Sequence, residues 1–424
     1  MTLPAAADVI YSNYLNTTIP LDFTGVTINV GSGSLNPFFG GVGVANNIDL
    51  QPFRDGTGGL DTILKFNSGD TLNGSTTSLA SPGGFGGSVD HVGDTFTAGA
   101  EGYVGFKLNG SNYGWMRVVF TNNTGGAVVK DWAYEDSGAA ISVGGIRREG
   151  SDVLLSSGFT VGSVINDSGG TTNLLKNSSG STTTLAAVNT YTGTTSVTAG
   201  TLAVSSAGTI NSSSSVSVAA GSKFIYNSST SLTVGTTLNG TGTSAPDRAV
   251  LGGTGTINTG LTLDNVGDVL SPGAGPGTGI QNFTPAQTWS SFSYDWEIKN
   301  FTSTSAGTAF DQILLGSTLN LSGSSGAYIL NVLGLTAGDV AGFVPNFSEI
   351  DRSWNILTST STLTGFNAAN WTINTTGFTD TYTGTWALAQ SGNNIVLSYT
   401  AVPEFNVAAL IGGFGMLALL RRRR

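Results

Sequence analysis

Residues 189–204 read NTYTGTTSVTAGTLAV. Apolar residues stand two apart at Leu202 and Val204, and Gly, Ser, Thr and Asn fill the space around them. A two-residue period fits a strand, in which alternate side chains share a face, whereas a helix needs apolar residues three and four apart. The same signature recurs downstream at Val216/Val218, Phe224/Tyr226, Leu232/Val234 and Leu261/Leu263, with turn-forming residues between the pairs. Short strands repeated in this way predict rungs stacked side by side into a parallel β-helix, each burying its apolar pair against the next.

Composition agrees with this reading. The chain has 424 residues, 62 of them Gly and only 10% charged. That excludes a charge-rich disordered chain and a helical bundle, and with abundant Thr, Val and Ser it predicts an all-β protein. Low charge has a cause in a solenoid, because stacked rungs would bring like charges into register. Residues 151–265 hold just seven charged positions. There are 16 basic residues against 26 acidic; four of the basic ones are Arg421, Arg422, Arg423 and Arg424, so the rest of the chain carries 12 against 26, a formal −14. Nucleic acid is therefore not an expected partner, since phosphate binding needs clustered cations. The chain has no Cys, which removes disulfides and thiolate metal sites from consideration.

Upstream, residues 102–120 read GYVGFKLNGSNYGWMRVVF, with alternating residues on each side of Asn109-Gly110. Asn-Gly between alternating runs predicts a hairpin. A third strand is expected at AVVKDWAYED, residues 127–136, with Val128, Lys130, Trp132 and Tyr134 on one face. Trp115, Arg117 and Trp132 are expected to pack as a core with an aromatic-stacked Arg. The expected divisions are 1–148, an aromatic-rich antiparallel β domain; 149–265, the solenoid; 266–400, its continuation and cap; and 401–424, a tail.

The tail is unlike the rest. From Phe405 to Leu420 every residue but Asn406 is apolar or Gly, and the four arginines follow. As a helix this run spans roughly 24 Å against about 30 Å of hydrocarbon, enough for a single marginal transmembrane helix with the arginines on the cytoplasmic side. Val402-Pro403-Glu404, then the apolar run, then the terminal arginines resembles the PEP-CTERM sorting signal of Gram-negative bacteria; Phe405 stands where that pattern has its second Pro. The resemblance implies an exported protein, held transiently at the inner membrane, processed by an exosortase, and placed at the cell surface or in the exopolysaccharide of a biofilm. Residues 102–144 resemble a block that recurs in the N-terminal region of such proteins. Residues 189–204 resemble the autotransporter-associated β-strand repeat, and LSPGAGPGTG (270–279), YDWEI (294–298), FDQILLGSTLNLSG (310–323) and WNILTST (354–360) follow an order seen after those repeats. Export needs a leader, and residues 1–14 have neither a basic segment nor a long apolar one; Ala5-Ala6-Ala7 resembles the end of a cleaved signal, so the true start is expected upstream.

Chemistry is sparse. His91 is the single histidine, which limits zinc and triad readings, and its turn-rich setting predicts an exposed loop residue. GGFGG, residues 83–87, lacks the Lys-Ser/Thr of a phosphate loop and reads as turns. Asp55, Asp61, Asp264 and Asp268 offer oxygen ligands without calcium-loop spacing. Asp295 and Glu297 share a strand face at roughly 7 Å between Cα atoms, within reach of paired acid/base geometry on a polysaccharide; the plainer expectation is a solvated face beside Trp296. The balance of these readings is a structural or adhesive surface protein with no catalytic residue, no cofactor and no metal; a polysaccharide-acting β-helix enzyme is the alternative.

Overall fold

A computed structural model describes residues 8–41, 43–55, 62–77, 79–80, 85–88, 96–122, 126–273 and 275–402. Among them the chain is all-β, with no α-helix and three single turns of 3-10 helix. A large mixed, mostly parallel sheet dominates.

The N-terminal part is antiparallel. Glu101–Leu108, Asn112–Asn122 and Gly126–Glu135 form a meander, and the first two meet at Asn109-Gly110, as expected. Both turn residues take positive φ, 51° and 69°, which Asn and Gly tolerate. A second antiparallel sheet of Ile28–Val30, Gly33–Phe38, Gly43–Asn46 and Phe85–Ser88 packs over one face. Ile28, Val30 and Leu35 from it close on Val104, Phe106 and Met116 of the meander. Part of the GGFGG stretch is thus a strand rather than a turn, since Phe85–Ser88 pairs with Gly43–Asn46.

The meander is buried on both faces, and this changes two expectations. A register shift between Arg117 and Val118 makes an extra residue bulge from Gly126–Glu135. The bulge switches the alternation: Ala127 and Val129 lie in the core that Trp132 and Tyr134 also pack against, whereas Ala133 enters the other core, so Val128, Lys130, Trp132 and Tyr134 do not share one face. Trp115 is fully buried against Tyr103, while Trp132 lies on the opposite side, stacked on Tyr134 at 6.0 Å. Among the described residues Arg117 stacks on no aromatic ring; the stacked arginine is Arg148, 5.0 Å from the Tyr14 ring. Its Nε and Nη2 donate to the Asp131 carboxylate, each at 2.8 Å, and Nη1 reaches Glu101 at 3.3 Å. Tyr11 Oη and the Arg148 backbone N–H, each at 2.9 Å, complete the shell around Asp131. Burial pushes the Asp131 carboxyl up from its ordinary value, and Arg117 and these hydrogen bonds pull it back.

At Asp152–Leu155, antiparallel to Ile146–Glu149 on one side and parallel to Asn173–Leu185 on the other, the pairing turns mostly parallel. Asp8–Tyr11 makes the join, antiparallel to Gly126–Glu135 on one side and parallel to Thr160–Val161 on the other. In one column Leu174, Thr195, Val216, Thr236 and Leu261 occupy equivalent positions on successive strands. A second column runs through Ser222–Tyr226, Ala249–Gly253, Asp264–Pro272, Ser291–Ile298, Tyr328–Gly334 and Trp371–Gly377. A third runs through Thr256–Ile257, Ile280–Phe283, Gln312–Leu315 and Arg352–Ser359. Every expected apolar pair, from Leu202/Val204 to Leu261/Leu263, points into the core at 4% exposure or less. One hydrophobic cluster runs unbroken from Val9, Tyr11 and Trp115 to Trp354 and Tyr399.

The third column ends differently. Arg352–Ser359 is followed by Asn394–Thr400 and Thr385–Ser391, both antiparallel, over a knot of rings that includes Phe301, Trp354, Trp386 and Tyr399. Thr385–Ser391 is the outermost strand of this sheet. No helix of the described residues is long and apolar enough to cross a membrane. The run from Phe405 to Leu420, where one is expected, lies outside the described residues, as do Pro403, Glu404, Arg421, Arg422, Arg423, Arg424, Asp61 and His91. Val402 is the last described residue and is exposed.

Candidate functional site

The strand Ser291–Ile298 alternates strictly. Phe292, Tyr294, Trp296 and Ile298 enter the core, which leaves Ser293, Asp295 and Glu297 on the outer face. That face is not solvated, contrary to the plainer expectation. Asp295 is 8% exposed and Glu297 6%, because other parts of the chain fold over them.

Each carboxylate is held differently. Asp295 Oδ2 pairs with Arg248 Nη2, and its Oδ1 accepts Asn331 Nδ2 at 2.7 Å. Glu297 Oε2 accepts the Gly277 N–H at 2.8 Å, from the turn that follows Asp264–Pro272. A third acid, Asp311, is fully buried beside them. It accepts the N–H groups of Gly279 at 2.7 Å and Glu297 at 3.0 Å, while the Trp296 indole donates to its backbone carbonyl at 2.8 Å. Burial pushes the Glu297 carboxyl above its ordinary range; the Gly277 hydrogen bond opposes this, and Asp295 and Asp339 add to it. Burial, with Glu297 close by, drives Asp311 well above the usual carboxylate value.

A raised acid beside an ion-paired one is an arrangement that glycoside chemistry uses. Here the raised acid is covered. The Gly277 turn occupies Glu297, and the open groove on this face, about 500 Å³, is lined by Asp295 and Arg248 but not by Glu297. In this conformation a substrate reaches one carboxylate, and an arginine and an amide already hold that one.

The groove crosses three neighbouring strands. Asp295 pairs in register with Asn331 of Tyr328–Gly334, and Asn331 with Asn374 of Trp371–Gly377. Asn374 Nδ2 donates to Asn331 Oδ1 at 2.9 Å, so a line of hydrogen bonds runs from Arg248 through Asp295 and Asn331 to Asn374. Sequence reading found Asp295 and Glu297 through their spacing. It missed Arg248, Asp311, Asn331 and Asn374, because their proximity depends on inter-strand register; the Asp247-Arg248 pair in a charge-poor segment was the one available signal.

In the other acidic loops, the described carboxylates hold backbone N–H groups. Asp268 is buried and its carboxylate accepts N–H groups from Gly240, Asp264 and Asn265. Asp55 accepts the Thr62 N–H at 3.3 Å. Among the described residues no group of three or more His, Cys, Asp or Glu is placed to hold a metal ion. No protein-family model matches the chain, and no curated protein is similar to it.

Proposed function

We propose that this chain is a non-catalytic adhesive or structural protein of the bacterial cell surface or extracellular matrix, associated with exopolysaccharide. In this reading the parallel columns wind as a β-helix behind an N-terminal antiparallel domain. Residues 401–424 then act as the sorting segment, with a transmembrane helix and an arginine stop, processed by an exosortase at Val402-Pro403-Glu404. The observation that carries the proposal is the long run of parallel strands with an apolar interior and an exterior of Ser, Thr and Asn. Such a body offers extended hydrogen-bonding area, and its low charge avoids repulsion between stacked strands.

The test is localisation in the native host, with and without residues 403–424. Protease shaving of intact cells is expected to remove the body of the full-length protein and to spare the truncated one, which stays inside the outer boundary. Equal shaving of both, or cytosolic recovery of the full-length protein, contradicts the sorting role. Shortening of host polysaccharide by the purified protein would contradict the non-catalytic reading and favour the enzyme alternative.

A further inference from the structure

We infer that the groove over Asp295, Asn331 and Asn374 is a binding subsite for a linear, non-acidic polysaccharide. The inference rests on the adhesive reading above and adds to it the place of contact and the class of glycan. Three features carry it.

The first is hydrogen-bonding capacity. An amide side chain has two hydrogens and two lone pairs. The ladder uses one hydrogen of Asn331, toward Asp295, and one lone pair, toward Asn374. Asn374 Oδ1 already accepts the Thr376 N–H at 3.2 Å and its hydroxyl at 2.9 Å, so what remains is one hydrogen and one lone pair on Asn331 and one hydrogen on Asn374, half-buried groups on a groove of about 500 Å³. Fixed amides of this kind suit ring hydroxyls, which both donate and accept. Because they are already oriented by the ladder, little rotamer freedom is lost on binding.

The second is amphipathic relief. Ile329 and Leu333 flank Asn331 on the same outer face and are only half-buried. Sugar rings have C–H faces and hydroxyl edges, so alternating aliphatic and amide surface matches them. The three strands, at about 4.8 Å spacing, give a track of about 10 Å across the columns, which suits a chain segment rather than a single small ligand.

The third is charge. Arg248 and Asp295 neutralise each other, and nearby Asp339 is likewise ion-paired, with Lys299 at 2.8 Å. The body is acidic overall, so an approaching uronate or sulfate meets repulsion without a free cation in the ladder to receive it. Neutral or amino-substituted glycans meet none.

The experiment is titration calorimetry on the purified chain with three probes: a neutral linear glucan oligosaccharide, a linear glucosamine oligosaccharide, and an oligouronate of the same length. Saturable binding of at least one of the first two, and weaker or absent binding of the oligouronate, is expected. Asn374→Ala and Asn331→Ala are each expected to weaken binding about tenfold, and Ser217→Ala, elsewhere on the outer face, is expected to leave it unchanged. Thermal melts superimposable on the parent establish that the variants are folded; Asn374 lies on the last strand of its column, where a truncated side chain is easily accommodated. The inference is overturned if neither non-acidic probe binds, if the oligouronate binds best, or if both Asn variants keep parental affinity. Such a failure leaves the shaving result unchanged, and a failed shaving result leaves calorimetry on the purified chain unchanged, so the two readings fail separately.

Discussion

Lys176 stands out among single residues because no carboxylate of the described residues pairs with it. It is fully buried, and Nζ donates to the Ser178 carbonyl at 2.7 Å and to Ser181 Oγ at 2.9 Å. Gly200 lies so close that any side chain there would overlap the Ser178 carbonyl, and it takes a φ of 73° that Gly alone adopts freely. Burial lowers the Lys176 ammonium to about 8. Since the folded value is below the ordinary one, the unfolded chain binds more protons between them, and stability from this group rises with pH from about 8 toward the unfolded value. Lys176→Met removes that dependence. Urea midpoints of the variant and parent are therefore expected to differ most in the variant's favour below pH 8 and to converge by about pH 10; curves that stay parallel would place the ammonium in water. Little of this was legible in the sequence: a lone Lys in a charge-poor stretch reads as exposed, and only the bulge between Lys176 and Thr182 tucks it in. Arg117 misled for a similar reason. Its partner Asp131 is adjacent only because a bulge shifts register at that point, while the more conspicuous Trp132 went to the other face.

At the scale of the element, strand and turn chemistry were the legible part. Apolar pairs two apart reached the core wherever they were expected, and the Asn-Gly hairpin formed where its dihedrals demanded. Which strand lies beside which is harder, because the residues between neighbours vary in number, and register then decides what touches. Ser196, Ser217, Thr237 and Thr262 form one outward row on four neighbouring strands. That row supplies a direct check on parallel register. Ser217→Asp combined with Thr237→Asp puts like charges side by side and is expected to cost about 0.2–1 kcal/mol beyond the two single changes, with the excess fading in high salt. Pairing Ser217→Lys with Thr237→Asp is expected to recover that excess. Additive effects in both combinations, read from urea midpoints, would mean that the two positions are not neighbours.

Across the whole molecule one of two hydrophobic clusters joins the antiparallel start to the parallel columns and ends at the aromatic knot around Trp354 and Tyr399. Class and interior were readable from alternation, turn residues and low charge. The groove was not, since it is assembled from three strands whose spacing along the chain carries no signal. On the proposed function, work at this scale turns on the tail, which delivers the acidic, strand-built body and its groove to the outside of the cell. The decisive measurement is the intact mass of the form recovered from the cell surface of the native host. The account predicts a mass that ends near Val402-Pro403-Glu404, with Arg421 to Arg424 gone. A surface form that still carries the four arginines would contradict it.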